Sequence, residues 1–417
     1  MKVVLAAKSV YPFHPFGGVQ KYVYYYAKAL VRMGVDLEIV APLDNGAPRT
    51  ETYEDLKYTF LRPSIYRYLE YPIGWLGVHL FSHSLACYLK DKEFDLLHAF
   101  DMASYRYLKK RPRKPVVAHI FTDNYLSNPI TLNDAANLTA SKFEKIKEEK
   151  VKITPFSSMM VKSKYLAQYL FKIKPMYFCL KNCDHIFLED EIFRQEVCEL
   201  YHLEDRKGAV IPVGVDIVAI DQALEKTFIS REELRLTVED VVLITVNRLA
   251  ADKGIDKILM ALEKLISRIP QIKLVIIGSG YQEKELYEMI KQRGLKDYVR
   301  HFKNVSENDL YKYYKASDIY ISAFSFLGSS ISTLEAMACS LPVITTAQPW
   351  LVNEGQNGIV LNSNDPKFIE EAVLRLVKNN NLEDQGKISR DVVKDFDWDS
   401  IAEKALEQYE ELVMKKK

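Results

Sequence analysis

Short apolar runs alternate with longer amphipathic segments along the whole chain. The apolar runs of the first half are Val3–Ala7, Leu37–Ala41, Leu96–Ala99, Val116–Ile120, His185–Leu188 and Ala209–Ile211. Those of the second half are Val241–Val246, Leu274–Ile277, Val299–Phe302, Ile319–Ser322, Pro342–Thr345 and Ile359–Leu361. Buried strands that alternate with helices are typical of βαβ units, so the pattern predicts parallel sheets and an α/β fold.

The series of strands starts again after a connecting segment at 212–240. With 417 residues, the chain is longer than a single core usually grows, about 250–300 residues. We therefore predict two doubly wound, Rossmann-like domains at 1–212 and 213–395, followed by a helix at 396–417. Ligands of such sheets bind at the carboxyl ends of the strands, so we expect a site in a cleft between the domains.

Composition narrows the choice of partners and compartment. The 57 Lys and Arg residues nearly balance 56 Asp and Glu residues, which argues against a nucleic-acid partner. Five cysteines are few and odd in number, which fits free thiols in a reducing compartment. Cys179 and Cys183 lack two further ligands in the pattern, so we expect no metal site. The first apolar run is too short for a signal peptide, so we expect a cytoplasmic protein.

Two glycines, Gly278 and Gly280, follow the strand Leu274–Ile277. Glycine lets a backbone approach a ligand closely, and the helix start that follows offers free N–H groups to a phosphate. An ordinary turn between strand and helix also uses glycine, so both interpretations stay open. A dinucleotide-binding fingerprint needs a third glycine at position 283, where this chain has Glu283, so the pattern argues against NAD.

Two basic residues, Arg248 and Lys253, follow the strand Val241–Val246. An arginine binds diphosphate oxygens in a bidentate manner, and a lysine binds them as a point charge. A solvated loop of ordinary charges is the alternative. Their position at a strand's carboxyl end favours donor binding.

The segment FSFLGSSISTLEAMACSLPVITT at 324–346 combines a loop of small residues, a predicted helix start at Thr333 and a returning strand. Free N–H groups and hydroxyls at a helix start favour anions. Glu335 is placed to accept hydrogen bonds from a ribose, although an acid that complements the helix dipole is the alternative. The predicted donor-binding residues are Gly328, Ser329, Ser330, Ile331, Ser332, Thr333, Leu334 and Glu335.

The first half offers candidates for the opposite side of the cleft. Gly17 and Gly18 follow the first strand and precede a long helical segment, where a tight turn is an equally good interpretation. Polar residues follow two further strands of this half. Those that we predict to contact an acceptor are His98, Asp101, His119 and Asp123.

These segments together resemble retaining glycosyltransferase family 4, the glycosyl transferases group 1. The resemblance is carried by FGGVQKY, VIPVGVD, NRLAADKGID, VIIGSGYQEKEL, KASDIYISAF, LEAMACSLPVITT and the closing DFDWDSIAEKALEQYEELV. It implies the GT-B fold and transfer of a sugar from a nucleotide-diphosphate sugar to a glycan or lipid-linked acceptor. It also implies retention of configuration, no metal or other cofactor, and a last helix that crosses back to the first domain.

The resemblance assigns roles residue by residue. Arg248 and Lys253 would bind the donor diphosphate and stabilise its charge in catalysis, and Glu335 would bind the ribose. The loop Ser329–Leu334 would bind the phosphates. Gly17 and Gly18 would border the donor from the other domain, and His119 would take the place of the family's histidine.

Three positions depart from the family pattern. Its paired glutamates lie eight positions apart, yet the partner of Glu335 here is Leu327. A further family glutamate aligns with Trp350, and the family's histidine aligns nearer Phe121 than His119. A catalytically impaired nucleotide- or glycan-binding relative is therefore the alternative, and a sugar-nucleotide epimerase is a further one.

The segment 142–181 is basic and aromatic, with ten lysines against three acidic residues. Such a stretch predicts peripheral contact with an anionic membrane, at its inner face, and a lipid-linked acceptor. A helical cover over the first sheet, with lysines that face water, is the alternative.

Overall fold

The computed structural model describes residues 1–14, 17–43, 49–63, 66–121, 166, 169–226, 231–303, 305–325, 330–379 and 381–416. The chain divides into two compact units. Unit 1 comprises Met1–Pro212 together with Ile401–Lys417, and unit 2 comprises Val213–Ser400.

Unit 1 is built on an eight-stranded sheet with the order β3-β4-β2-β1-β5-β6-β7-β8. Its strands are β1 Lys2–Ala6, β2 Asp36–Leu43, β3 Arg49–Tyr53, β4 Leu56–Pro63, β5 Leu96–Phe100, β6 Val116–Ile120, β7 His185–Leu188 and β8 Gly208–Val210. All pairs are parallel except β3 with β4, which is antiparallel. Every residue of β5 and β6 is buried, as expected for strands covered by helices on both faces.

Helices cover both faces of this sheet. The helices of unit 1 are α1 Gly18–Arg32, α2 Tyr66–Tyr88, α3 Tyr105–Leu108, the π-helical turn Tyr169–Ile173, α4 Lys174–Asn182 and α5 Glu191–Tyr201. The last helix, Trp398–Lys416, belongs to unit 1 from Ile401 onward. Helix α1 buries Tyr22, Tyr26 and Leu30, which are spaced by one helical turn and therefore share one face.

Unit 2 is built on a six-stranded sheet with the order β11-β10-β9-β12-β13-β14, and every pair is parallel. Its strands are β9 Val241–Val246, β10 Ile272–Ile277, β11 Val299–Phe302, β12 Ile319–Ser322, β13 Val343–Thr345 and β14 Gly358–Val360. Its helices are α6 Ile217–Lys226, α7 Ile255–Leu265, α8 Glu283–Gln292, α9 Glu307–Lys315, α10 Ile331–Ala338, α11 Pro366–Asn379 and α12 Leu382–Val393.

The predicted α/β class with two doubly wound sheets is confirmed. Each of the twelve predicted apolar runs coincides with a strand. The hairpin of β3 and β4 was not predicted, because β3 reads RTETY and lies largely exposed at the sheet edge. Among the described residues, no helix has both the length and the apolar character needed to cross a bilayer.

Candidate functional site

The strand order of unit 2 reverses between β9 and β12, which is where ligands bind in open α/β sheets. Strand β9 is paired with β10 on one side and β12 on the other. The segments that follow these three strands therefore begin at the same edge of the sheet. They include Arg248, Lys253, Gly278 and Gly280.

Three glycines allow these segments to pack directly against one another. A Cβ at Gly278 would overlap the carbonyl oxygen of Asn247, and one at Gly280 would overlap that of Leu249. Gly254, with φ +63°, would overlap the carbonyl oxygen of Ala323. The room left by Gly278 and Gly280 is thus taken by a neighbouring backbone, and their donor-binding role stays a prediction.

The two basic residues differ in exposure. The Arg248 side chain is 66% exposed, whereas that of Lys253 is 19% exposed. The Lys253 ammonium lies 4.2 Å from the ring centroid of Phe324, two residues after β12. Asp252 lies 3.8 Å from the Arg248 guanidinium and 3.5 Å from the Lys253 ammonium. Burial, with a contribution from Arg248, lowers the pKa of Lys253. The two cations therefore share one carboxylate at the reversal point.

Hydrogen bonds fix the segment that carries these cations. The Leu249 amide donates to the carbonyl of Ser279 at 2.9 Å, and the Ser325 amide donates to the carbonyl of Asp252 at 3.0 Å. The Ala251 amide donates to the hydroxyl of Tyr281 at 3.1 Å. Sequence reasoning missed this contact, although Tyr281 directly follows the Gly-Ser-Gly segment.

Helix α10 begins at Ile331, two residues before the predicted start, with Ser330 at its N-cap. Thr333 and Leu334 are fully buried. Ser332 accepts or donates a 2.9 Å hydrogen bond with the Tyr320 hydroxyl. Gly328 and Ser329 lie outside the described residues, as does Leu327.

Glu335 is only 4% exposed, on the buried side of α10. Its carboxylate accepts a 3.2 Å hydrogen bond from the Tyr314 hydroxyl. In this structure the carboxylate faces the core of unit 2, and ribose binding by Glu335 stays a prediction.

The strand order of unit 1 reverses between β1 and β5. Lys8 follows β1 and Asp101 follows β5, and their charged groups lie 3.3 Å apart. Asp101 has φ +54°, a conformation that few residues other than glycine adopt, and it is 8% exposed. Its amide donates to the carbonyl of His119 at 2.9 Å.

The two glycines at the start of α1, Gly17 at its N-cap and Gly18 as its first residue, are not required by packing. Gly17 has an extended backbone, and a Cβ there would meet only the end of the flexible Gln20 side chain. A Cβ at Gly18 would have no neighbour within 4 Å. Packing among the described residues therefore explains neither glycine, and their donor-binding role stays a prediction.

The two predicted histidines lie in the core of unit 1. His98 and His119 are both 0% exposed, and His98 Nε2 lies 3.1 Å from His119 Nδ1. His98 Nδ1 also pairs with the hydroxyl of Tyr409, which pairs with Tyr26 at 2.6 Å. Burial lowers the pKa of His98 to about 3 and holds the pKa of His119 well below its ordinary value.

The acceptor-binding prediction does not fit this position. Four aromatic or imidazole side chains from α1, β5, β6 and the last helix form a closed network, and an acceptor finds no exposed surface on either histidine. His119 Nε2 has no hydrogen-bond partner among the described residues. Asp123 lies outside the described residues. Within the described ranges, no group of three or more His, Cys, Asp or Glu side chains is arranged to hold a metal.

Two sequence families match this chain. The family described as Glycosyltransferase Family 4 matches residues 16–218, and the family described as Glycosyl transferases group 1 matches residues 226–391. The two matches follow the two units and together span most of the sequence.

Individual relatives match over part of their length. D-inositol 3-phosphate glycosyltransferase of Corynebacterium jeikeium (strain K411) is 28% identical over 246 residues, covering 55% of this chain and 58% of that protein. Alpha-monoglucosyldiacylglycerol synthase of Acholeplasma laidlawii is 24% identical over 191 residues, covering 44% of this chain and 48% of that protein. The chain thus matches only about half the length of these curated relatives.

A solved structure agrees over the whole chain. HepE of Anabaena, in complex with UDP and glucose, has a TM-score of 0.65 and 15% identity, covering 98% of this chain and 99% of that one. At this identity the likeness concerns the fold. The chain has the GT-B fold and belongs to the glycosyl transferases group 1, of the glycosyltransferase family 4 type.

Proposed function

We propose that the protein transfers a sugar from a nucleotide-diphosphate sugar to a glycan or lipid-linked acceptor, with retention of anomeric configuration. Family membership supports this reaction, and the HepE structure was solved with UDP and glucose. The proposed donor site is the β9–β12 edge of unit 2.

The observation that carries the proposal is the placement of Arg248 and Lys253 at that edge. The half-buried setting of Lys253 strengthens its attraction for a diphosphate, because the local dielectric is lower than in water. The exposed Arg248 is free to rotate its guanidinium onto a second oxygen. The start of α10 would add backbone N–H groups.

In this reaction the side chains of unit 2 would act by position and charge. Negative charge grows on the diphosphate as the bond to the sugar breaks, and Lys253 and Arg248 would stabilise it. The donor-binding role of Gly17 and Gly18 in unit 1 rests on the family resemblance alone.

A thermal-shift screen with UDP, ADP, GDP and their sugar conjugates tests donor binding, because a ligand of the folded state raises the melting temperature. We expect at least one conjugate to raise it, and Lys253→Met to lose the shift. Lys387→Met is the matched control, since it removes the same charge from an exposed helix of unit 2. No shift with any nucleotide would contradict the proposal.

A donor-hydrolysis assay separates the transferase from an inactive relative. Leu327 and Trp350, where the family has glutamates, are the observation that keeps this second candidate in view. A transferase releases sugar slowly from its donor without an acceptor, whereas a binding protein shifts in melting temperature and releases none.

We further propose that the acceptor is presented at an anionic membrane surface on the cytoplasmic side. Most of 142–181 lies outside the described residues. At its described end, Leu170 is 42% exposed and Phe171 is 36% exposed. Leu80 of α2 is 41% exposed. His79, next to Leu80, lies 5.5 Å from the Phe171 ring. The relative from Acholeplasma laidlawii bears the name of a diacylglycerol-lipid synthase.

Liposome flotation tests this contact. We expect Leu170→Ser with Phe171→Ser to weaken binding to vesicles that contain anionic lipid, since apolar burial would be lost. Ile192→Ser is the control, as Ile192 is 40% exposed on α5. Equal flotation of both variants would remove the membrane proposal without affecting donor binding.

A further inference from the structure

Gln348, in the segment after β13, combines two unfavourable features. Its backbone is left-handed, with φ +54° and ψ +52°, a conformation that residues with a Cβ rarely adopt. Its side chain is 1% exposed, and the buried Oε1 atom has no hydrogen-bond partner among the described residues. A buried carbonyl oxygen without a partner opposes folding.

A second buried amide in unit 2 shows how such a group is normally satisfied. Asn357 is 0% exposed, and its Oδ1 accepts from the amide of Asn353 at 2.7 Å. Its Nδ2 donates to the carbonyl of Leu351 at 3.0 Å. Gln348 lies only three residues from Leu351, but its Oε1 has no comparable partner in the described part of the chain.

The segment that carries Gln348 is attached to the proposed donor site. The amide of Thr346 donates to the carbonyl of Ser322 at 3.3 Å, and its hydroxyl donates to the carbonyl of Phe324 at 2.9 Å. Phe324 is the residue whose ring contacts the Lys253 ammonium. Gln348 therefore follows, by two residues, a direct contact with the wall of that site.

We propose that Gln348 determines donor specificity by hydrogen bonding a hydroxyl of the donor sugar. This inference rests on the proposed function. Strained and unsatisfied residues cluster where binding needs them, and a carboxamide suits a sugar hydroxyl because it both accepts and donates. Oε1 gives up no hydrogen bond to a described residue when it turns to the sugar.

Sugar binding by Gln348 would also fit the presence of Trp350 at the position where the family pattern has a glutamate. In the resemblance, this segment carries a glutamate two residues after Gln348, and here an indole stands in its place. A neutral amide forms a hydrogen bond with a hydroxyl without adding negative charge beside the diphosphate. Gln348 thus supplies a polar contact that Trp350 does not.

The test compares the donor with its monodeoxy analogues at each sugar hydroxyl. For wild type, we expect at least one analogue to have kcat/KM reduced roughly tenfold, the effect of one lost hydrogen bond. In Gln348→Ala, the kcat/KM values for the full donor and for that analogue should be nearly equal. Gln385→Ala is the matched control, because Gln385 is also 1% exposed with an unpartnered Oε1, but lies on α12.

Melting temperatures separate specificity from folding. Gln348→Gly and Gln348→Ala remove the same side-chain amide, but only glycine adopts the left-handed backbone without strain. The melting temperature of Gln348→Gly should therefore be about 2–4 °C higher than that of Gln348→Ala. Gln385→Ala should melt lower than wild type and keep its donor preference.

An unchanged preference among all analogues in Gln348→Ala would overturn the inference, even if transfer proceeds normally. Wild-type protein that neither binds nor hydrolyses any nucleotide sugar would instead overturn the proposed function. The difference in melting temperature between the glycine and alanine variants can still be measured in that case, since it needs no activity.

Discussion

The two sheets reverse their strand order in the same way, but the chemistry at the two reversal points differs. In unit 2, the Arg248 guanidinium and the Lys253 ammonium lie 3.8 Å and 3.5 Å from the Asp252 carboxylate. In unit 1, the Lys8 ammonium lies 3.3 Å from the Asp101 carboxylate, and the nearby histidines are buried with lowered pKa values. The same fold thus carries different charged groups at its two reversal points.

The glycines that follow the strands also have different environments in the two units. In unit 2, Gly278 and Gly280 are explained by close packing of neighbouring segments. In unit 1, Gly17 and Gly18 leave space that no described side chain fills closely, apart from the end of Gln20. Glycine after a strand therefore has two physical causes, and only the environment distinguishes them.

Removal of one lysine from each unit should show the largest difference between the two reversal points. We expect Lys253→Met to lower kcat/KM about 100-fold, the usual effect of losing one charge-stabilising group. Lys8→Met should lower it much less, because Lys8 lies in unit 1, outside the proposed donor site. Steady-state kinetics with the preferred donor provide the measurement, and similar losses in both variants would refute the distinction.

The buried network of unit 1 should matter for stability. Tyr409→Phe leaves His98 Nδ1 without its hydroxyl partner, so we expect a loss of about 1–3 kcal/mol in the free energy of unfolding. Tyr58→Phe is the matched control, because the Tyr58 hydroxyl is buried and no described residue hydrogen bonds to it, so its removal should cost nothing. Urea unfolding followed by circular dichroism distinguishes the two variants, and equal stabilities would contradict the network's contribution.

The same histidines predict a dependence on pH. Burial depresses the folded pKa of His98 to about 3, whereas the unfolded histidine titrates near its ordinary value. The unfolded state therefore binds more protons between these values, and stability falls as pH decreases below about 6.5, by up to about 1.4 kcal/mol per pH unit for each histidine. His119→Asn should flatten this slope in urea titrations at pH 4.5–7. An identical slope would argue against a buried neutral pair.

The smallest effect concerns the hydroxyl that holds the Arg248–Lys253 segment. Tyr281→Phe removes the acceptor for the Ala251 amide, and water replaces it because the ring is 73% exposed. We expect donor affinity to fall about threefold, consistent with one modest hydrogen bond. Tyr287→Phe, which loses a hydroxyl bonded to His301 instead, should leave affinity unchanged in the same titration.

Much of the fold followed from hydrophobic patterning, because parallel strands buried on both faces read as continuous apolar runs. The side chains at their carboxyl ends were harder to place. The pattern of β6 did not show that His119 points under α1 towards His98, since that depends on which helices cover each face. The placement of Arg248 and Lys253 at the sheet edge followed from charge and position, whereas the contacts of Tyr281 and Phe324 join segments far apart in sequence.

Isothermal titration calorimetry of UDP, ADP and GDP into wild type and Lys253→Met measures how much this lysine contributes to donor binding. The preferred diphosphate should bind at least tenfold more weakly to the variant, while the corresponding nucleoside should bind both proteins equally. Equal diphosphate affinities would show that the β9–β12 edge of unit 2 does not hold the donor.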